Sequence, residues 1–481
     1  MYEKLEKNKA SILADAKKAA DEIGIPQNLR GKLGLTGAVS GCPAQLWRDV
    51  TKAMEEAYRA IIPNRIYANE IRDIVKDVYG DDYDAASVNT CEAALWVSIS
   101  VMISPPMTGR GESYRARYIA PLERHMHHQG GYGRPFPSKY KGLVSDRGVT
   151  AGELGMEGKR QWNTDVIIVP QVGATYQAHG IKYANIPFLN HVEPEKTAEK
   201  MGKIAALNAE TLCGFASLAY DTSGYGYGKK DTTGTPLTQK LMGQLAKEWN
   251  VPYIQDNAWG IPFIGTDLSK TQADLMVYSM DKAALAPTSG LIIGKEDAMI
   301  SIRKALGMHG ERWGTTSAYG KAQLVTADAG KEGLVGQIAA LKILRDEPKR
   351  VTKSIDETFE IVREEFEAIN LSDRLKKGFV ISKSYNCGAV EVNTTETWKE
   401  EGEFGVPIFG IEDMYSGAEL YMHGVMQMGL LPTISYDGNL LLSPGLGTLD
   451  KNGELLEDNM RYAVKGSAKM IEIVCKHAGI E

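Results

Sequence analysis

Cysteine is sparse in this sequence and never paired. Cys42, Cys91, Cys213, Cys387 and Cys475 are the only five among 481 residues, and no two stand at Cys-x-x-Cys spacing. Such singletons exclude a disulfide framework and a zinc–thiolate site, and read as reduced thiols of the cytoplasm. Long apolar runs are missing too: none reaches the ~20 residues of a membrane span. The opening stretch, MYEKLEKNKASILADAKKAADEIGI, is charged and amphipathic and lacks the apolar centre of a signal peptide. There is no excess of positive charge. Lys and Arg number 55 against 61 Asp and Glu, a net charge of -6, so the basic field that nucleic-acid binding needs is not expected. Repeats, low-complexity tracts and long linkers are absent. What is present is an ordinary globular composition, 43% hydrophobic and 24% charged, which excludes a collagen-like or disordered chain. Glycine is plentiful at 50, often in polar loops, which suits a site where backbone must approach a ligand closely.

The order of elements predicts an α/β protein. Amphipathic helices are expected over 3–22, 44–60, 195–207 and 237–250, and short apolar strands over 165–170, 251–256, 275–280 and 291–294. Strands alternating with such helices imply βαβ units and a mostly parallel sheet covered on both faces. One long helix is expected over 327–350 and another over 352–370. Strands at 378–383, 388–393 and 440–443, with helices near 414–429 and 455–478, make a smaller α+β domain. The expected division is therefore 1–60 as an N-terminal helical arm, 61–335 as a large α/β domain and 336–481 as a small C-terminal domain. The stretch 105–163 is aperiodic and rich in Gly, Arg, His and Tyr. A segment of that length inside a compact domain is more often functional than idle.

Three local patterns carry chemistry. VNTCEAALW (88–96) is a polar turn feeding a helix, so Thr90, Cys91 and Glu92 stand where free N–H groups and the helix dipole suit a phosphate; an ordinary N-cap would look the same. YIQDNAWG (253–260) is an apolar strand ending in Asp256 and running into Ala258, at the strand end where parallel sheets bind ligands. DLMVYSMDKAALAPTSGLIIG (274–294) is a strand ending in Ser279, followed by Asp281, Lys282, a turn and a second strand. A lysine there can serve as a nucleophile that forms a Schiff base with an aldehyde, although a lone solvated lysine is the commoner case. Together, in that order, the three supply an anchor for a phosphate, a carboxylate for a protonated ring nitrogen and an amine for an aldehyde, which is the set pyridoxal phosphate requires.

This order resembles the aspartate aminotransferase superfamily, the fold type I enzymes that depend on pyridoxal 5′-phosphate. VNTCEAA takes the place of a turn ending in Thr-Glu-Ala, Asp256 and Ala258 match an Asp-x-Ala, and Lys282 matches the Schiff-base lysine. Locally, SMDKAALAPTSGLIIGKEDAMI (279–300) and GKEGLVGQIAAL (330–341) resemble the selenocysteine synthase and sugar-acid ammonia-lyase group. The resemblance implies a seven-stranded, mostly parallel sheet and the small domain. It also implies a ring-stacking residue in ERHMHHQGGYG (123–133), His127 or His128, with His128 carried forward. A metal role for that His run lacks nearby ligands, and no metal is expected. By the same resemblance Ser279 contacts the phosphate, and the polar contact to the cofactor 3′-oxygen falls on Asp221, Thr222 or Ser223, with Thr222 favoured. GTTSAYG (314–320) then reaches a neighbouring subunit's phosphate, in a homodimer or higher homo-oligomer.

The chain departs from the pattern in one place. NLLLSPG (439–445) has no Arg where many aminotransferases hold the substrate carboxylate. The guanidinium groups left for a small anionic amine substrate are Arg110, Arg115, Arg117, Arg124, Arg134 and Arg147, or Arg312; Arg134 and Arg312 are the candidates carried forward. The expected activity is a lyase that abstracts the α-proton and eliminates a group from the β-carbon. Alternatives are an aminotransferase, a sulfur or selenium transfer enzyme with Cys387 as acceptor thiol, and a scaffold that has kept only the fold. No nucleic-acid or membrane partner is expected.

Overall fold

The computed structural model of the chain describes residues 2–37, 44–103, 117–122, 165–166, 182–187, 194–207, 209–210, 212–222, 228–307, 327–398, 405–407, 417–431, 434–436 and 439–480. These fall into two compact units. One is Asp49–Asp346; the other joins Met1–Arg48 to Glu347–Glu481. The boundaries therefore fall at 48/49 and 346/347 rather than at 60/61 and 335/336.

The N-terminal segment is part of a core rather than a separate arm. Helix Tyr2–Ile23 carries Leu5, Ile12, Ala16, Ala19 and Ala20 at spacings that put them on one face. That face is buried with Leu420 and Tyr421 of helix Gly417–Gln427 and with Val464, Ile471 and Val474 of helix Glu457–Ala478. Lys4 closes the end of the last helix, donating to the Ala478 carbonyl at 3.0 Å. Strand β1 (Leu33–Gly34) follows.

From Asp49 the chain builds an eight-stranded sheet among the described residues. Its strands are β2 (Tyr83–Val88), β3 (Arg117–Leu122), β4 (Asp165–Val166), β5 (Lys182–Pro187), β6 (Leu212–Leu218), β7 (Tyr253–Asn257), β8 (Leu275–Ser279) and β9 (Gly290–Lys295). The order across the sheet is β2-β9-β8-β7-β6-β3-β5-β4. Pairs β8–β7, β7–β6, β6–β3 and β3–β5 are parallel, while β2–β9, β9–β8 and β5–β4 are antiparallel. The sheet is thus mixed, with one strand more than expected. Because β9 runs against both neighbours, β2 is parallel to β8, and the carboxyl ends of β2, β8, β7, β6, β3 and β5 share one edge. Strands β6, β7 and β8 are buried along their whole length, which is why they read as continuous apolar runs.

Two sequence expectations change here. The stretch 105–163 is not wholly irregular, since RYIAPL forms β3; its three apolar residues are bounded by Arg117 and by Pro121, which lacks a ladder donor. The helix expected over 327–350 ends at Asp346, and a second runs from Pro348 to Glu367. Pro348 at the first helical position has no N–H for the preceding helix, and it holds Glu347 out of helical geometry (φ -131°, ψ 46°). Of the strand expected over 165–170, Asp165–Val166 is described and 167–170 lie outside the described residues.

Past Glu347 the second unit adds an antiparallel sheet of β10 (Val380–Ser384), β11 (Ala389–Asn393), β13 (Ile434–Tyr436) and β14 (Asn439–Leu442), in the order β10-β11-β14-β13. Strand β12 (Leu430–Leu431) pairs in parallel with β1. Among the described residues no helix is long and apolar enough to cross a membrane.

Candidate active site

The strand ends on the shared edge carry most of the residues singled out by sequence. After β2, Thr90 caps helix Cys91–Ser98, its Oγ1 accepting from Ala93 N–H at 3.0 Å. An extended Thr90 (φ -151°, ψ 161°) turns the chain from strand to helix, and the first turn of that helix directs its N–H groups toward the cap. The neighbouring strand is shaped to fit. Gly290 opens β9 opposite Val88, and a Cβ there would lie 2.3 Å from the Thr90 carbonyl oxygen. Only glycine lets the two backbones approach so closely.

Lys282 occupies the connection between the antiparallel strands β8 and β9. Ser279 pairs with Gly290 at the base of this loop, and Met280 N–H donates to Ser289 O at 2.9 Å. Ala286 N–H donates back to Met280 O at 2.9 Å, closing the loop around Lys282, and Leu285 takes a left-handed conformation at φ 69°. Helix Lys331–Asp346 lies directly against it: a Cβ on Gly336 would meet the Pro287 ring at 2.2 Å. Lys282 itself is half-buried. The Ser279 hydroxyl, 1% exposed, donates to Asp281 Oδ1 at 2.5 Å.

Asp256 is 2% exposed at the end of β7, opposite Leu218 of β6 on one side and Val277 of β8 on the other. Its Oδ1 accepts the Ala258 N–H at 3.0 Å, so the Asp-x-Ala spacing closes a small turn that holds the carboxylate. Cys91 joins these pieces. Burial pushes its thiol well above the ordinary range; the Asp256 carboxylate raises it further, Lys282 pulls it down, and Glu92 and Asp281 add smaller upward effects. The order β2-β9-β8-β7 sets the turn after β2, the β8–β9 loop and the end of β7 along the same edge, and the Cys91 thiol feels the charges they carry.

At the end of β6, Thr222 is 2% exposed and its Oγ1 has no hydrogen-bond partner among the described residues. Asp221 beside it accepts from Lys230 Nζ at 3.2 Å. His127, His128, Ser223, Arg134, Arg312 and residues 314–320 lie outside the described residues. So do Arg110, Arg115, Arg124 and Arg147, while Arg117 is placed in β3 by its backbone alone. Cys387 lies in the β10–β11 turn with 0% exposure, so no solvent reaches its thiol.

Sequence reading missed several supports of this edge. Gln239, on helix Leu237–Glu248, is fully buried and donates to Tyr220 O at 2.7 Å and to Leu218 O at 3.3 Å. Thr266 Oγ1 donates to Ala219 O at 2.6 Å. Tyr220 and Trp259 stack at 4.9 Å with their planes 2° apart. A buried amide 19 and 21 residues along the chain from its carbonyls has no local signature; the aromatic just after Asp-x-Ala was the one available hint. Among the described residues, no group of three or more His, Cys, Asp or Glu could hold a metal ion.

No protein-family profile matches the chain, and no curated protein matches it. Solved structures do. An S-selective transaminase from Arthrobacter sp. superposes with a TM-score of 0.52 at 13% identity, covering 91% of this chain and 88% of that one. The SepCysS–SepCysE N-terminal domain complex gives 0.51 at 14% identity, covering 94% and 97%. The omega transaminase from Pseudomonas jessenii, solved with PMP, gives 0.51 at 12% identity, covering 90% and 86%. The chain shares the fold of these structures, the architecture known as fold type I.

Proposed function

We propose that this chain is a pyridoxal-phosphate-dependent lyase acting on a small anionic amine. The observation that carries the reading is the placement of the Thr90-capped helix start, the β8–β9 loop with Lys282 and the β7 end with Asp256 along the carboxyl edge of the sheet. The residues suit the cofactor. Helix N–H groups at Thr90–Glu92 match a phosphate, the carboxylate of Asp256 matches a protonated ring nitrogen, and Lys282 matches an aldehyde. The buried, unpartnered hydroxyl of Thr222 is a ready donor for a ring oxygen.

When bound, pyridoxal phosphate supplies an aldehyde for an amine and a ring that takes up the negative charge developing at the neighbouring carbon. Asp256 would hold a proton on the ring nitrogen of the bound cofactor and so favour its uptake of charge. Ser279 orients Asp281 beside the lysine and belongs with the phosphate contacts. Lys282 Nζ, once released, takes the proton from the substrate α-carbon and returns it as general acid. By the family resemblance His128 would cover the ring face and Arg134 and Arg312 would hold the substrate's anionic groups; all three lie outside the described residues. Loss of the β-substituent, which would leave with that proton, gives an enamine that water hydrolyses to a keto product and ammonia. Elimination is favoured over transamination because 439–445 offers no Arg for the carboxylate of a second substrate. Thiol or selenol transfer through Cys387 is disfavoured by its burial. The working form is a homodimer or larger homo-oligomer in the cytoplasm, with 314–320 reaching the neighbouring phosphate site.

The test is spectroscopic. Purified chain given pyridoxal phosphate should show a visible band that borohydride bleaches and that Lys282→Ala abolishes, with turnover falling about 10²–10⁴-fold. Product analysis separates the reactions: keto acid plus ammonia with recovery of the band means a lyase, and stable conversion to the pyridoxamine form means a transaminase. A colourless chain would overturn the enzyme reading and leave a scaffold.

A further inference from the structure

Two buried aromatic side chains tie together the segments that carry Thr222 and Asp256. The β6–β7 register ends with Leu218 opposite Asp256, and Ala219 N–H donates to Asp256 O at 2.9 Å. Beyond that point both strands become loops. Tyr220 follows on one, two residues before Thr222. Trp259 follows on the other, directly after Ala258, whose N–H holds Asp256 Oδ1. Their rings lie parallel, 4.9 Å between centroids and 2° between planes, at 2% and 6% exposure. At that separation parallel rings are offset, the arrangement that relieves quadrupole repulsion and holds two flat groups in register.

The backbones of the two loops are braced differently. On the Tyr220 side, Gln239 holds Tyr220 O at 2.7 Å and Thr266 holds Ala219 O at 2.6 Å, from helix and loop outside the sheet. On the Trp259 side, Gly260 N–H donates to Asn257 O at 2.7 Å within its own turn. The Ala219–Asp256 and Thr266–Ala219 bonds tie the two segments at the strand ends, and the ring stack carries that tie outward to Tyr220 and Trp259.

We propose that the Tyr220–Trp259 stack is a positioning element that sets the separation of Asp256 from Thr222, and so the orientation of a flat ligand ring held by both. The inference rests on the pyridoxal phosphate reading above and adds to it two residues that need not touch the cofactor. Their action is through the loops that do.

The experiment compares ring-keeping with ring-losing variants in the full chain, W259F and Y220F against W259L and Y220L. The readouts are pyridoxal phosphate affinity and visible circular dichroism per bound cofactor, a signal that reports a fixed ring orientation and not merely a folded chain. Far-ultraviolet circular dichroism of the same samples reports folding. W259F and Y220F should stay within about twofold of the unaltered chain. The leucine variants should lose about tenfold in affinity, in line with one aromatic pair, and should show a weakened visible signal at saturating cofactor. Leucine variants that match the unaltered chain in both readouts overturn the proposal, and so does a W259F that falls as far as W259L. If the unaltered chain itself binds no pyridoxal phosphate, the cofactor reading has failed and takes this inference with it. Binding by the unaltered chain with indifference to the stack fails the inference alone.

Discussion

Cys91 stands among several charged groups, Asp256, Lys282, Glu92 and Asp281. Burial and the Asp256 carboxylate raise its thiol well above the ordinary value of about 8.5, and Lys282 only partly offsets them. It is therefore a neutral thiol at neutral pH, not a nucleophile. Alkylation of Cys91, followed by peptide mapping, should be slow at pH 8 and should still be rising near about pH 10, where an unhindered thiol has levelled off. A plateau at the ordinary thiol pKa would mean that the sulfur is solvated and away from Asp256. The sequence flagged Cys91 only as a member of the turn VNTCEAA. Its proximity to Lys282, far along the chain, depends on β9 inserting between β2 and β8, and no local pattern encodes that. Asp256 and Lys282 were legible because each sits at the end of an apolar run with a turn directly after it.

At the scale of elements, the two ends of β2 do different work. Its amino end holds Asp84, 0% exposed, with Arg72 Nε at 2.8 Å, Arg303 in direct ion-pair contact and its own Oδ1 accepting Ala85 N–H at 2.8 Å. Burial, with Arg72 adding to it, pushes the Arg303 guanidinium down to about 10. Asp84→Ala would leave two guanidinium groups facing each other with no carboxylate between them. A loss of about 3–5 kcal/mol in the Asp49–Asp346 unit is expected, read as a lower urea midpoint with unchanged slope. The carboxyl end holds the Thr90 turn against Gly290. Gly290→Ala puts a methyl group 2.3 Å from a carbonyl oxygen, so either β9 or the turn must move. Overpacking of about 1–3 kcal/mol is expected, with cofactor affinity falling more than stability because the displaced group is the helix start. Equal cofactor binding in Gly290→Ala would show that this close approach does not shape the phosphate site. The same scale explains the misplaced helix boundary. The break expected near 351 falls instead at 347, because Pro348 at the first position of the second helix lacks the N–H that would continue the first.

For the molecule as a whole, the notable feature is a unit assembled from both ends of the chain. Helix Tyr2–Ile23 contributes two large and three small apolar residues to a core otherwise made from residues past 347, with Leu33 and Leu35 close behind it. Burying Leu5 and Ile12 alone is worth about 3–6 kcal/mol, against a typical domain stability of about 5–15 kcal/mol. Removing residues 1–23 should therefore unfold the unit: soluble yield should collapse, or trypsin should cut freely within 347–480 while 49–346 resists. A truncated chain with undiminished protease resistance would mean that the helix is a detachable arm after all.

By itself the sequence determined the α/β class, the strand ends at Asp256 and Ser279, the helix start at Thr90 and the membership of most helices. Each of these is written in neighbouring residues, as a period, a cap or a strand end. Only the tertiary structure decided the strand order that brings those residues to one edge, the strand at 117–122, the joining of the first helix to the last domain and the ring stack beside Asp256. The physical reason is the same in every case: contacts between residues far apart in the chain are selected by burial and backbone pairing across the whole fold, and a short window of sequence holds only one side of each.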